Sequence, residues 1–132
     1  MCLVLPAKDL HVGQGQQYPS IQHALEKCSA GDSILLAEGT HEVSSKDGKN
    51  LILMKSDITI KGTGDKHKTI IKPRNTDIKH NALFAMIDIE NSSLENLTLV
   101  AKKGMCLYIE DTTNIHIKNC VISGFHYGSG DQ

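Results

Sequence analysis

Residues 93–99 read SLENLTL, and residues 116–122 read HIKNCVI. In both stretches an apolar residue is followed by a charged residue and an asparagine. An apolar residue, a residue that favours strands and a further apolar residue come next. Residues 59–62, TIKG, begin in the same way, with Gly62 in the position of the asparagine. A unit that recurs after roughly 20 residues is typical of stacked structural repeats, and it predicts a solenoid.

The alternation of side chains along these stretches predicts which residues face the core. Successive side chains of a strand point to opposite faces, so Leu94, Leu97 and Leu99 are expected inside. Asn96 and Asn119 mark bends, and stacking would place one beneath the other. Their amides could then hydrogen bond to each other and to the backbone of the turns, as in the asparagine ladders of stacked parallel strands.

The same stacking would set Glu95 beside Lys118 on the outer surface. An exposed ion pair of this kind is worth at most about 1 kcal/mol, so it would adjust the register rather than hold the fold. Short strands at regular spacing are also typical of an antiparallel sandwich. That alternative is disfavoured because two-residue hairpin turns are missing between the best strands and because the repeat keeps its direction.

One helix is predicted near the N-terminus. Ser20 is suited to cap its first turn, and Gly31 is suited to the left-handed conformation that often closes a helix. Ile21, Ala24, Leu25 and Cys28 are spaced so that they would form a single apolar stripe along one side of this helix. Strands are then predicted at residues 9–13, 33–37, 41–43, 51–54, 58–61, 69–72, 83–89, 94–100, 105–109 and 115–122, with polar loops at 44–50 and 73–81.

Composition narrows the range of functions. Trp is absent and the net charge is −1 without a block of basic residues, which argues against a nucleic-acid partner. No apolar stretch is long enough to span a bilayer, and no secretory signal is evident, so we expect no membrane partner and an intracellular location. A chain excised from a larger secreted protein would instead be extracellular. The four cysteines, Cys2, Cys28, Cys106 and Cys120, are expected to be reduced and buried.

The N-terminal half resembles the right-handed parallel β-helices of the pectin lyase-like superfamily, especially the opening of pectin methylesterase-type proteins. The matching stretches are VGQG at 12–15, YPSIQ at 18–22, GDSILL at 31–36, GTHE at 39–42 and ITIKGTG at 58–64. The family often has Gly-Thr-Tyr-x-Glu where this chain has GTHE. The resemblance implies an all-β fold, a right-handed parallel β-helix with one N-terminal capping helix.

The resemblance also implies a domain organisation. A single domain would cover residues 1–132, with the first strand and the capping helix in 1–32 and the coils of the β-helix in 33–132. No second cap follows the last coil, so we expect a β-helix truncated at its C-terminal end. That open end would continue into further coils or be covered by another copy of the chain.

Catalytic chemistry is not evident. Pectin methylesterases use two aspartates supported by Gln and Arg, and no segment here matches the aspartate-bearing ones. Pectate lyases hold Ca²⁺ in a carboxylate cluster, for which Glu90, Glu110 and Asp111 are the nearest candidates, too few for six to eight oxygen ligands. The seven histidines lack metal-ligand spacing. His41 stands at the position of the family's Tyr and is expected to pack. We therefore expect no catalytic residue, no metal and no cofactor.

A binding surface is the remaining expectation. Lys61, Glu95, His116 and Lys118 would line one elongated flank, and Tyr108 could stack on a sugar ring. We therefore expect a non-catalytic binding or scaffolding module that recognises carbohydrate or a protein partner. One alternative is the N-terminal part of a pectin lyase-like carbohydrate-active enzyme, an esterase or a lyase. Another is a structural solenoid segment that assembles end to end, as a homo-oligomer, through the open C-terminal end.

Overall fold

A computed structural model describes residues 6–44, 51–74 and 82–128 of the chain. The predicted polar loops at 44–50 and 73–81 lie mostly outside these residues. The described part forms one helix, α1 (Ile21–Lys27), and a short 3-10 turn at Lys66–Lys68. Its strands are β1 (Asp9–Val12), β2 (Ser33–Leu36), β3 (Gly39–Val43), β4 (Ile52–Leu53), β5 (Thr59–Gly62), β6 (Thr69–Pro73), β7 (Ala82–Ile87), β8 (Glu90–Glu95), β9 (Thr98–Glu110), β10 (Thr113–Lys118) and β11 (Val121–Gly128).

Five strands form one sheet in the order β1-β2-β5-β8-β10, and all of them run parallel. The register places positions 9, 33, 59, 93 and 116 side by side across it. Each strand therefore pairs with the next copy of the repeated unit along the chain. Parallel pairing needs a long connection between partners. The helix α1 lies in the connection between β1 and β2, and strands of the second sheet lie in the connections between the later pairs.

The second sheet has the order β3-β6-β9-β7-β4, with β11 beside β9, and its pairings are parallel too. The first residues of β9 pair with β6, and its later residues pair with β7. The strands predicted at 94–100 and 115–122 are each divided in two, because the chain turns at Asn96 and Asn119. Their first halves lie in the five-stranded sheet and their second halves lie in this one.

The core lies between the two sheets and is built mainly from Leu, Ile and Val side chains. Leu94, Leu97 and Leu99 are all 0% exposed, as the alternation predicts. Phe84 is the largest of the fully buried side chains among the described residues. Parallel sheets covered on the inner face bury one side of each strand, which accounts for the alternating burial of β1, β2 and β5.

The helix α1 covers the beginning of the structure and contacts β1, β2 and β3. Ser20 caps it as predicted, since its side chain accepts a hydrogen bond from the backbone N–H of His23 at 3.1 Å. Its own residues Ile21, Ala24 and Leu25 are buried. The helix ends at Lys27 with an extended Cys28 after it, so Gly31 does not close the helix.

The turn between α1 and β2 is held by a buried carboxylate. The Asp32 side chain is 2% exposed, and its Oδ2 lies 2.7 Å from Lys8 Nζ. Asp32 also accepts the backbone N–H of Lys8 at 3.0 Å and that of Ser29 at 2.8 Å. A buried charge is stable only when it is paired and hydrogen bonded. These three bonds tie the residues before β1 to the turn that follows the helix.

The described residues are therefore mostly β, with parallel sheets and one α-helix, an arrangement compatible with a β-helix. Every strand pairing among the described residues is parallel, which contradicts the antiparallel sandwich. The one described α-helix is too short to cross a bilayer, and no other helix of the described residues could do so.

Candidate binding face

The outer surface of the five-stranded sheet carries two rows of side chains that run across the strands. We call this surface the outer face. Its first row contains Asp9, Ser33, Thr59, Ser93 and His116, and its second row contains His11, Leu35, Lys61, Glu95 and Lys118. Neighbours in a row belong to adjacent strands, whose backbones lie about 4.8 Å apart. All ten residues are exposed or half-buried, while the residues between them point into the core.

Four of the five predicted binding residues lie on this face. Lys61, Glu95 and Lys118 are consecutive members of one row, because Lys61 and Lys118 are both register partners of Glu95. His116 stands in the other row, two residues before Lys118 on the same strand. The predicted neighbourhood of Glu95 and Lys118 is confirmed. An ion pair between them is not formed, since the two ion pairs among the described residues are Lys8–Asp32 and Lys72–Glu42.

Tyr108 lies elsewhere. It belongs to β9 and pairs in register with Ala85 and Tyr127, so it is part of the second sheet. Its hydroxyl donates a hydrogen bond to Glu110 Oε2 at 2.8 Å. The position of Tyr108 in a strand could be inferred from the sequence, but the sheet to which the strand belongs could not. The structure therefore does not bring this aromatic ring to the outer face.

One edge of the outer face is fixed by an asparagine ladder. Asn119 Nδ2 donates to Asn96 Oδ1 at 2.8 Å, and Asn96 Nδ2 donates to the carbonyl oxygens of Gly62 and Gly64, both at 2.8 Å. Both asparagines adopt left-handed backbone conformations, with φ of 57° at Asn96 and 53° at Asn119. Asparagine tolerates this conformation better than most residues. The predicted stacking of Asn96 and Asn119 is confirmed.

A second ladder fixes the opposite edge and was missed by the sequence analysis. Asn114 Nδ2 donates to Asn91 Oδ1 at 2.8 Å, and Asn91 Nδ2 donates to Asp57 Oδ1 at 3.2 Å. Asp57, Asn91 and Asn114 all have left-handed backbone conformations, and so has Gly31. The strand register places Gly31 beside Asp57, two residues before the strand pair Ser33–Thr59 begins. Gly31 is thus the first member of this column, which explains its conformation better than a helix cap does.

The ladders give the outer face a fixed geometry. At the free end of the second ladder, His116 Nε2 lies 2.9 Å from Asn114 Oδ1, an oxygen that can only accept, so this nitrogen carries the hydrogen. At the free end of the first ladder, Lys66 Nζ donates to Asn119 Oδ1 at 2.8 Å. The strands between the two ladders therefore present their side chains from a backbone that is held at both ends.

The acidic residues considered for Ca²⁺ are dispersed. Asp111 lies at a left-handed turn with φ of 53°, and Glu110 accepts the hydroxyl of Tyr108. Glu90 begins β8, and its backbone N–H is bound by Ser56 Oγ at 3.0 Å. Within residues 6–44, 51–74 and 82–128, no three His, Cys, Asp or Glu side chains are grouped so that they could hold a metal ion.

Shifted pKa values occur at structural positions. The hydrogen bond from Lys8, followed by that from the Ser29 backbone, lowers the pKa of Asp32 from 3.8 to about 2. Burial raises the pKa of Cys106 to about 12, and burial also raises the pKa of Cys28 and Cys120. These three thiols are free, and a raised pKa keeps them protonated and weakly nucleophilic. Cys2 lies outside the described residues.

One further group of residues is assembled only by the fold. Gln14, His41, Glu42 and Arg74 line a common cavity beside the start of α1. From the sequence, His41 was expected only to pack, and no pattern linked it to Arg74. They belong to different turns of the chain, and no local motif joins such positions.

No known protein-family model matches this chain, and no solved structure matches it at a significant level. The resemblance of residues 12–64 to the pectin lyase-like opening is therefore supported by those residues and by the parallel sheets alone.

Proposed function

We propose that the chain forms a right-handed parallel β-helix of the pectin lyase-like kind, capped by α1. The columns at positions 9, 33, 59, 93 and 116 support this, because each round of the chain returns to the same place in the five-stranded sheet. The two ladders repeat with the same rounds. Crossover connections between parallel strands are right-handed in nearly all proteins, which supports the handedness.

Cross-linking tests the stacking. Glu95→Cys with Lys118→Cys joins neighbouring strands at register partners, whose separation suits a disulfide. Lys61→Cys with Glu95→Cys does the same one round earlier. We expect both pairs to form disulfides on mild oxidation. Lys61→Cys with Lys118→Cys, two strands apart, is the matched control and should not. Efficient cross-linking of the control pair, or none of the adjacent pairs, would contradict the stacking.

We further propose that this β-helix is a non-catalytic binding or scaffolding module and that its outer face binds a protein partner. The observation that carries the proposal is the row Lys61, Glu95 and Lys118. None of these side chains makes a hydrogen bond or ion pair with any described residue. They are charged, outward and held on a backbone fixed by ladders at both ends. Complementary charges on a partner would therefore find them already positioned.

The shape of the face favours a protein over a sugar. Small-ligand sites are concave and often contain aromatic rings, whereas the outer face is one side of a sheet and its two rows contain no Phe, Tyr or Trp. Its five strands extend over about 20 Å, the scale of a small, transient protein interface. The charges alternate along the row, so the partner should present an acid–base–acid pattern.

Charge reversal tests this proposal. A protein partner is first captured with the unaltered chain and purified. Its affinity for the variant Lys61→Glu with Lys118→Glu should then be lower by about tenfold or more. Lys27→Glu with Lys55→Glu is the matched control, because both lysines are exposed and lie off the outer face. All four positions are on the surface, so both variants should remain folded. The thermal midpoint should fall slightly in Lys61→Glu with Lys118→Glu, because both new carboxylates then stand beside Glu95.

Three results would overturn the proposal in different ways. A partner bound equally well by the reversed and control variants would remove the outer face from binding. A glycan that binds on an array and is lost only in Lys61→Glu with Lys118→Glu would make the partner a carbohydrate. Cleavage of polygalacturonate by the chain would establish one alternative, a carbohydrate-active lyase, and release of methanol from methyl-esterified pectin would establish the other, an esterase.

A second candidate function is end-to-end assembly, which is favoured by the exposure of the last strands. Ile115 and Ile117 point inward from β10, yet both are half-buried, while Leu94 in the neighbouring strand is 0% exposed. β10 is also the edge of its sheet, and an edge strand offers unpaired backbone groups. A second copy of the chain would cover both.

Sedimentation across a range of concentrations tests assembly. We expect concentration-dependent association that Ile117→Arg weakens about tenfold or more. Leu53→Arg is the matched control, because Leu53 is an apolar residue that is 59% exposed on another strand. A monomer at every concentration, or equal weakening by both substitutions, would contradict assembly through β10.

A further inference from the structure

A polar cavity of about 320 Å³ lies between the turn after β1, the start of α1 and strand β3. It shares no residue with the outer face. β3 is the edge strand of its sheet, so one of its long sides is unpaired with any described strand. The volume lies within the range of small-molecule sites.

Charges of both signs line this cavity without neutralising one another. The guanidinium of Arg74 makes no hydrogen bond or ion pair with any described residue. Glu38 and Glu42 line the same space. Glu38 Oε2 accepts the backbone N–H of Asp65 at 2.7 Å, and Glu42 Oε2 lies 3.9 Å from Lys72 Nζ, near the limit of an ion pair. A cation and two carboxylates therefore face one cavity while the cation lacks a carboxylate partner.

The frame of the cavity is fixed by the backbone. The Arg74 N–H donates to the carbonyl of Val43 at 2.8 Å, and Glu42 is the register partner of Lys72. The ring of His41 is held by Nε2, which donates to the carbonyl of Ala37 at 2.8 Å. Because that nitrogen carries the hydrogen, Nδ1 of the neutral ring is left as an acceptor.

We propose that this cavity binds a free α-amino acid as its zwitterion. The ligand's carboxylate would take the bidentate bonds that Arg74 offers, and its ammonium would donate to Glu42 and Glu38. A simple anion would face two carboxylates, and a simple cation would face Arg74. A ligand that carries an ammonium and a carboxylate on the same carbon satisfies the two groups together, and the cavity has room for its side chain.

Titration followed by backbone amide resonances tests the proposal with defined probes. We expect L-alanine to shift the resonances of residues 38–42 and 74 saturably. Propionate lacks the ammonium and ethylamine lacks the carboxylate, so each should bind about tenfold more weakly or worse. Glucose is a neutral probe without either charge and should produce no saturable shift.

Variants assign the binding to the cavity. Arg74→Gln and Glu42→Gln should each weaken L-alanine about tenfold, and Lys68→Gln, an exposed lysine outside the cavity, should not. The proposal is overturned if L-alanine gives no saturable shift, if propionate or glucose binds as well as L-alanine, or if Arg74→Gln binds like the unaltered chain. All three variants are at the surface, and an unchanged amide spectrum elsewhere confirms that they remain folded.

Discussion

The two ends of one buried column differ in how they are covered. The inward residues that stand side by side across the five-stranded sheet are Leu10, Ile34, Ile60, Leu94 and Ile117. The first four are 0% exposed, and Ile117 is half-buried. The helix α1 packs over β1 and β2 at the beginning of the column, and no described element packs beyond β10 at its end. The exposure of an inward side chain in this column therefore depends on whether its strand lies at the end covered by α1 or at the other end.

The two ends also differ in the chemistry of their corners. Earlier in the chain, the two ladder columns contain Gly31 and Gly62, which have no side chain to bond. In the later rounds Asn91, Asn96 and Asn119 occupy these positions and bond from round to round. The covered end is held by core packing and by Asp32, whereas the uncovered end relies more on amide ladders.

The largest expected loss of stability comes from truncating a buried side chain of this column at the end covered by α1. Ile34→Ala should lower the free energy of unfolding by about 3–4 kcal/mol, because it leaves a closed cavity in a packed core. Ile117→Ala should cost about 1 kcal/mol, because the half-buried side chain loses less contact and leaves no closed cavity. Urea unfolding measures both. Equal losses would show that the exposure of Ile117 does not hold in solution and would remove the contrast.

The next largest loss of stability is expected at Gly62, the glycine that stands beside Asn96 in the first ladder. A Cβ on residue 62 would overlap the backbone carbonyl oxygen of Asn96, which cannot move without disturbing the ladder. Gly62→Ala should therefore cost about 2–3 kcal/mol. Gly15→Ala is the matched control, with φ of 76° and no atom near its added Cβ, and should cost about 1 kcal/mol for its left-handed backbone. A smaller loss at residue 62 than at residue 15 would contradict the close approach.

A smaller effect is expected from the carboxylate at the covered end, and it depends on pH. The pKa of Asp32 is about 2 in the folded chain and 3.8 ordinarily, so its stabilisation is complete above about pH 4 and is lost as pH falls through about 2. Asp32→Asn should lower the free energy of unfolding by about 1–2 kcal/mol at pH 7. The loss is no larger because the Lys8 side chain is half exposed, so water screens its charge.

Thermal unfolding of both proteins across acidic pH measures this dependence. The difference in stability between the unaltered chain and Asp32→Asn should shrink as pH falls and should nearly vanish at pH 2. A difference that stays constant from pH 7 to pH 2 would show that Asp32 does not depend on its charge.

The smallest effect concerns the cap of α1 itself. Ser20→Ala removes the acceptor for the N–H of His23 and should cost about 1 kcal/mol. Ser29→Ala, at an exposed serine whose backbone rather than side chain bonds to Asp32, should change stability by less than about 0.5 kcal/mol. Hydrogen exchange should quicken in α1 for Ser20→Ala and leave β10 unaffected. Faster exchange in β10 would show that the two ends are coupled.

Much of the fold could be predicted from local pattern. The alternation and the repeated asparagine predicted the burial of Leu94, Leu97 and Leu99 and the contact between Asn96 and Asn119, because both features are contained in a seven-residue stretch that occurs twice in the chain. The candidate face was predicted in part, since Lys61, Glu95, His116 and Lys118 occupy outward positions of repeated strands. Tyr108 could not be assigned, because alternation gives the side of a strand but not the sheet that contains it.

The sequence by itself determined the repeated unit, the parallel stacking of like positions and the capped helix, since each depends on side-chain spacing within a few residues. Only the tertiary structure decided which rounds are covered, why Gly31 is left-handed and that Arg74 shares a cavity with Glu42. Those outcomes depend on register between strands separated by long and unequal connections. The free energy of that register comes from burial and hydrogen bonds across rounds, which no single stretch of the chain contains.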